Sequence, residues 1–282
     1  MGVFSFHAYH LKAIPDIIQT VIWRMYMNNL VFFDIDGTLA IKTDVPASAE
    51  EALKVLRANG DKVFICTGRN PAYVKKNFSA YADGFICSNG RMAFMGDEIL
   101  YNHPLSREQI VFIQDKLDEI GGGYQFNGAT HGFYGGPEEG FKVLADVQFD
   151  GYVIHEKNPD NMDSVYALDV WFSSVEMRHQ MEDALKGICL LNPHGPHPSA
   201  DVTVLGIDKG TALIHVAEKL GVPIENTYAF GDGVNDLCMI EAAGHGIAMG
   251  NAVDALKEKA EYITTPILED GVKNGLKHYN LI

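Results

Sequence analysis

Short apolar runs without alternation recur along the chain, each closed by a polar residue or a glycine. Leu30-Val31-Phe32-Phe33, Lys62-Val63-Phe64-Ile65-Cys66 and Gly84-Phe85-Ile86-Cys87 are of this kind. Their length and continuity suit strands buried on both faces, as parallel sheets require. Between them lie segments of helical character. One covers residues 49–58, with Ser48 placed to cap its start and Gly60 to stop it. The other covers residues 71–78 and opens on Pro71. The order strand, helix, strand, helix, strand predicts a parallel sheet with right-handed crossovers.

After Asn89-Gly90 the pattern changes. Residues 93–101 read as a hairpin turning at Gly96-Asp97, and residues 124–134 as a second around Asn127-Gly128. Helical segments are expected over 107–120 and 175–185, with a strand over 165–172 between them. Pro193-His194-Gly195-Pro196-His197-Pro198 breaks any regular element and reads as a loop or linker. Alternation then resumes, with strands over 227–230, 246–249 and 262–265 and helices over 211–220, 234–243, 253–259 and 268–278. The pattern therefore predicts an α/β domain made of residues 30–91 and 198–282, interrupted by an α+β domain at 92–197. Residues 1–29 stand apart as an extension. Pro15 and Asp16 interrupt its apolar stretches, so it makes no signal-peptide core. An extra surface helix and a natural start at Met25 or Met27 are both open.

Composition narrows the function. The chain has 282 residues, 47% of them hydrophobic, enough for a large core. Its net charge of −15 opposes binding to nucleic acid or to an anionic lipid surface. A small anionic substrate remains admissible where a metal ion or local cations receive it. No apolar run reaches the ~18 residues of a membrane span. Cys66, Cys87, Cys189 and Cys238 form no C-x-x-C pair, which suits free thiols in a reducing cytoplasm. The sequence carries no reading of oligomeric state.

Four polar clusters sit where strands or helices begin or end. Asp34-Ile35-Asp36-Gly37-Thr38-Leu39 follows the first strand. Its two carboxylates point the same way if the chain stays extended, and a hard divalent ion would relieve their repulsion. Thr67-Gly68-Arg69 follows the second strand and offers a hydroxyl and backbone N–H groups to an oxyanion. Lys209-Gly210 opens a helix and suits a phosphate. Gly231-Asp232-Gly233-Val234-Asn235-Asp236 ends a later strand and adds hard metal ligands.

Together these resemble the haloacid dehalogenase superfamily. The D-x-D-G-T-L motif, the strand-end threonine, the lysine and the G-D-x-x-N-D motif appear in its order. The long stretch between Thr67 and Lys209 is similar to members with a cap inserted there, and Ser88-Asn89-Gly90 resembles the Cof-like branch with a type IIB cap. The resemblance implies a Rossmann-like parallel-sheet core with an inserted α+β cap domain of the C2B type. It implies a Mg²⁺-dependent phosphatase acting on a small phosphorylated metabolite, a sugar phosphate or similar. In that family's chemistry Asp34 is the nucleophile and forms an aspartyl-phosphate, and Asp36 is the general acid and base. Thr67, Gly68, Arg69, Lys209 and Asn235 contact the phosphate or substrate. Asp34, the Asp36 carbonyl and Asp232 hold Mg²⁺, supported by Asn235 and Asp236.

Other readings weigh less. A calcium loop fails on spacing, since Val45 or Ala243 would fill the position that needs glutamate. Gly231-x-Gly233 lacks the third glycine of a dinucleotide fingerprint. His194 and His197 read as solvated loop residues before a metal pair. A phosphomutase of the phosphomannomutase type is the close enzymatic alternative, and a non-catalytic sugar-phosphate sensor the non-enzymatic one.

Overall fold

A computed structural model describes residues 29–129, 131–145, 153–156 and 164–282. The reading of an N-terminal extension concerns residues that, Asn29 apart, lie outside those described. The first part of the chain builds β1 (Leu30–Phe33), α1 (Ala47–Ala58), β2 (Lys62–Cys66), α2 (Pro71–Phe78), β3 (Gly84–Cys87) and the hairpin β4 (Met92–Met95) and β5 (Glu98–Asn102). The insert contributes α3 (Arg107–Ile120), β6 (Gly123–Gly128), β7 (His131–Gly135), α4 (Glu138–Ala145), β8 (Val153–Glu156), β9 (Val165–Trp171), α5 (Val175–Ala184), β10 (Cys189–Pro193) and β11 (Ser199–Val204). The last part adds α6 (Lys209–Leu220), β12 (Thr227–Gly231), α7 (Leu237–Ala242), β13 (His245–Ala248), α8 (Asp254–Lys257), β14 (Tyr262–Ile263) and α9 (Gly271–His278).

The larger sheet has eight strands in the order β14-β13-β12-β1-β2-β3-β4-β5. Its first six strands are parallel, as continuous apolar runs predict, and every residue of β1 is buried. The chain leaves β1 toward β2 on one side and later returns through β12 on the other. Such a reversal opens a crevice at the carboxyl ends of the two strands, the place where open α/β sheets receive ligands.

The second sheet has six strands, β10-β11-β9-β6-β7-β8. One face packs Tyr124, Phe126, Leu168, Val170, Val202 and Val204 into a core with Ile110, Ile113 and Leu117 of α3 and Met181 of α5. The two sheets therefore carry separate hydrophobic clusters, and the expected core and cap are both present.

Hydrogen bonding moves the dividing lines. The β4–β5 hairpin, expected inside the insert, pairs antiparallel with β3 and extends the larger sheet to Asn102. At the far end, β11 pairs with β9 and β10, so residues 199–204 lie on the cap sheet instead of the core. Alternation marks a hairpin but not the sheet it joins, which is a tertiary matter. Of the proline cluster, Pro193 ends β10 and residues 194–198 form the loop between β10 and β11, which is not an interdomain linker. Ser48 lies within α1, whose cap position is Pro46.

Buried Arg91 ties the two crossings between sheets. Its Nη2 donates to the Val204 carbonyl at 2.9 Å, and its own carbonyl accepts from the His103 N–H at 2.8 Å. Gly90 beside it has φ +101°, and a Cβ there would collide with the Asp208 carbonyl at the start of α6.

Candidate active site

Four strand or helix ends converge at the crevice. Asp34 follows β1, Thr67 follows β2, Asp232 follows β12, and Lys209 is the first residue of α6. The Asp208 side chain accepts from the Thr211 N–H at 2.7 Å, which fixes where α6 begins and so where Lys209 points. Lys209 is fully buried. Its Nζ lies 2.6 Å from Asp34 Oδ1 and 2.6 Å from Asp236 Oδ1. The second Asp236 oxygen accepts from the backbone N–H groups of Asp232 and Gly233, each at 3.0 Å. Those bonds shape residues 234–236 into a 3₁₀ turn, where an unbroken α-helix over 234–243 was expected.

Asp232 is held from the first loop. Thr38 Oγ1 donates to its Oδ1 at 3.0 Å, and Asn251 Nδ2 donates to the Gly37 carbonyl at 2.9 Å. Gly37 has φ +90°, and a Cβ there would strike Asp232 Oδ2. The loop can pass this close to the second acidic motif only as glycine.

The carboxylates Asp34, Asp232 and Asp236 bring ligand oxygens within 4.8 Å of one another. Burial is the largest influence on Asp34 and pushes its carboxyl up to about 7. Lys209 works against that, while Asp236 and Asp232 add to it. Burial likewise raises Asp232 to about 6. Burial opposes the charge on Lys209, but Asp236 and Asp34 outweigh it and its pKa is raised. Three carboxylates thus face one lysine in a poorly hydrated pocket. An all-oxygen donor set with excess negative charge fits a hard divalent cation. Asp236 is already satisfied by Lys209 and two N–H groups, which makes it a support for Lys209 before it is a ligand.

Asp36 departs from expectation. The chain turns directly after β1, with the N–H groups of Leu39 and Ala40 returning to the carbonyls of Asp34 and Ile35. The two aspartates therefore part instead of pointing together. The half-exposed Asp36 carboxylate receives Arg69 Nε and Nη2, each at 3.2 Å, and does not join the acidic group. Arg69 also lies over the Tyr73 ring, and its backbone N–H donates to Thr67 Oγ1 at 3.2 Å. Gly68 adjoins Asn89, and Asn235 is exposed on the crevice wall.

A cleft of about 800 Å³ runs from these groups to the cap sheet. The residues expected at the site, Asp34, Asp36, Thr67, Gly68, Arg69, Asp232 and Asn235, line it, and Lys209 lies buried behind Asp34. Sequence reasoning quoted Thr38 and Asn89 within motifs without giving them a role, and it missed Asn251 and the roles of the cap-side residues Gln125, Asn127, Asp169 and Asp201. Asp169 did carry a signal, as a charge inside the apolar run of β9. His194 and His197 both direct Nδ1 to Ser199 Oγ, at 2.8 and 2.7 Å, which ties them into the loop. Among the described residues, no helix is long and apolar enough to cross a membrane.

Comparison with known proteins agrees with this geometry. The description haloacid dehalogenase-like hydrolase matches residues 31–276. A Bacillus subtilis protein with a provisional phosphatase name, YkrA, is 32% identical over 272 residues, covering 90% of this chain and 99% of its own. The solved structure of the haloacid dehalogenase subclass IIB sugar phosphatase BT4131 superposes with a TM-score of 0.75 at 30% identity, over 90% of this chain and 100% of that one. The phosphatase BT1666 of Bacteroides thetaiotaomicron gives 0.77 at 26% identity, over 91% and 97%. The chain belongs to the haloacid dehalogenase-like hydrolases.

Proposed function

We propose that this haloacid dehalogenase-like hydrolase is a Mg²⁺-dependent phosphatase that releases phosphate from a small phosphorylated metabolite, a sugar phosphate or similar. The observation that carries the reading is Lys209, buried between Asp34 and Asp236 with Asp232 alongside. A carboxylate nucleophile can approach a phosphate dianion only where fixed positive charge offsets the repulsion.

The roles follow from position. A carboxylate oxygen of Asp34 attacks phosphorus, and the bond from phosphorus to the substrate oxygen breaks. The leaving oxygen takes a proton from Asp36, which must first be released by Arg69. Asp36 then takes a proton from water, whose oxygen attacks the aspartyl-phosphate and frees inorganic phosphate. Thr67, Gly68 and Lys209 hold the phosphoryl oxygens, and Arg69 and Asn235 line the approach. Asp34, the Asp36 carbonyl and Asp232 would hold Mg²⁺, with Asn235 and Asp236 in support. When bound, that ion supplies charge neutralisation at the transferring phosphoryl group. The four free cysteines suit a reducing cytoplasm, and a net charge of −15 disfavours nucleic acid as partner. A sensor built on this fold would not need Asp34, Asp36 and Lys209 together, and no observation favours a mutase.

The test is release of phosphate from p-nitrophenyl phosphate with Mg²⁺. Turnover is expected, lost on dialysis against EDTA and restored by Mg²⁺ but not by Ca²⁺, which accepts looser geometry. Full activity after removal of metal would contradict the metal assignment. No release from this ester or from a panel of phosphorylated metabolites would contradict the phosphatase.

A further inference from the structure

The cap sheet turns one face to its own helices and the other to the catalytic crevice. An inner sheet face shielded from bulk water is ordinarily apolar. Here Gln125, Asp169 and Asp201 are register partners on three adjacent strands, β6, β9 and β11, and all three line the cleft. Their polar atoms are linked. Gln125 Nε2 donates to Asn127 Oδ1 at 2.8 Å, and Asn127 Nδ2 donates to Asp169 Oδ2 at 2.6 Å. Asp169 and Asp201 share a hydrogen bond, and Asp201 Oδ1 lies 3.1 Å from His194 Nε2. Gln125 and Asn127 are 3% and 8% exposed, Asp169 is half-buried and the Asp201 side chain is 61% exposed, so the row runs from buried amides to an accessible carboxylate.

Charge gives the row a direction. Among the described residues that line the cleft from the cap side there is no lysine or arginine. Arg69, the one arginine in the lining, comes from the core and is engaged by Asp36. Burial pushes the Asp169 carboxyl well up, and its neighbour Asp201 adds to that rise. Burial also acts upward on Asp201, but hydrogen bonds from His194 and Asp169 hold it lower. A substrate group lodged here meets carboxyl and amide oxygens, and among the described lining residues only His194 and His197 could bring positive charge from the cap side.

We propose that this row selects the leaving group: one that donates hydrogen bonds and bears no negative charge, an amine-bearing polyol phosphate in preference to a carboxylated one. The proposal rests on the phosphatase reading and adds the chemistry of the part that departs. A carboxylate on the leaving group would stand against Asp201 and Asp169 with His194, already bound to Asp201, as the nearest cap-side group to offset it, and juxtaposed like charges are costly. Hydroxyls and an ammonium group would instead donate to the oxygens of Gln125, Asp169 and Asp201.

The test compares three esters on one six-carbon frame, glucosamine 6-phosphate, glucose 6-phosphate and 6-phosphogluconate, with p-nitrophenyl phosphate as reference and Mg²⁺ throughout. The expected order of kcat/KM is amine, then neutral, then carboxylate, with about a hundredfold or more between the extremes. In Asp201→Asn the ratio of the extremes should shrink about tenfold or more, chiefly through a lower KM for 6-phosphogluconate. Asp169→Asn should shrink it less, because burial already disfavours charge on Asp169. Should either variant fail to fold, the order in the unmodified protein still decides. Turnover of p-nitrophenyl phosphate with no discrimination among the three, with preference for the carboxylate, or with none of them accepted overturns this proposal alone. Absence of turnover on every ester overturns the phosphatase reading and this proposal with it.

Discussion

The core and the cap both bury polar groups, but in different ways. In the core, Lys209, Asp34 and Asp236 are almost wholly buried, and each is fixed by the end of a strand or helix. In the cap, Gln125, Asn127, Asp169 and Asp201 lie on one face of a sheet and are fixed mainly by each other. A reacting phosphoryl group needs charges at set distances, which rigid element ends supply. A leaving group needs only a wall of suitable polarity, which many sequences could build. On the proposed function, the contrast gives chemistry to the core and selection to the cap.

The largest effect should come from Asp34→Asn. An amide is nearly the same shape but a far weaker nucleophile, so turnover of every ester should fall by about a thousandfold or more. The fold should persist, because the replacement also removes a costly buried charge. More than a small residual rate, with deamidation excluded by mass spectrometry, would take Asp34 out of the nucleophile role.

Lys209→Met comes next and should damage stability as well as rate. It leaves Asp34 and Asp236 buried without their shared cation, and breaking a buried pair costs about 3–5 kcal/mol. The melting temperature should drop by roughly 10 °C at neutral pH, with turnover lost. An unchanged melting temperature would show that the ion triad does not organise the core.

A smaller effect is read through pH. Asp34 and Asp232 have folded-state values of about 7 and about 6, above the ordinary 3.8. Between about pH 4 and 7 the metal-free folded chain therefore binds more protons than the unfolded chain. Its stability falls as pH rises through that window. In EDTA the melting temperature should be several degrees lower at pH 8 than at pH 5. Mg²⁺ should raise it markedly at pH 8 and little at pH 5, where protons compete for the same oxygens. A metal-free melting temperature that rises from pH 5 to pH 8 would contradict this balance.

The smallest effect belongs to the cap. Ser106 caps α3 by accepting from the Gln109 N–H, and the Gln109 side chain accepts from the Ser106 N–H in return. Ser106→Ala should cost about 1 kcal/mol, or roughly 2–4 °C, with turnover of p-nitrophenyl phosphate unchanged. A parallel loss of turnover would mean that the cap takes part in the chemistry.

The same contrast explains what could be read from the chain beforehand. Asp34, Thr67, Lys209 and Asp232 stand at the ends of apolar runs or at a helix start, so periodicity and residue type locate them together. The divergence of Asp34 and Asp36 was hidden, because an apolar run does not say whether the chain stays extended or turns directly after it, and the pull of Arg69 comes from 33 positions away. The hairpin β4–β5 was recognisable but not its sheet. The strands β10 and β11 were missed because prolines dominate the loop between them, and β11 mixes Asp201 and Thr203 with its apolar positions. The cap wall is assembled from three strands far apart in sequence, so no local spacing announces it.

The division between chemistry and selection is tested most directly by a core without its cap. The sheets place the cut at residues 104–205, since removing 92–197 would take β4 and β5 from the core sheet and leave β11 unpaired. With those residues replaced by a short linker, and folding verified by circular dichroism and a cooperative melt, kcat/KM is measured for p-nitrophenyl phosphate and for the best hexose phosphate. The account predicts that p-nitrophenyl phosphate retains activity within about tenfold, while the hexose phosphate loses more than about a hundredfold, because only the latter draws on remote contacts. Equal loss on both esters in a folded capless protein would contradict it.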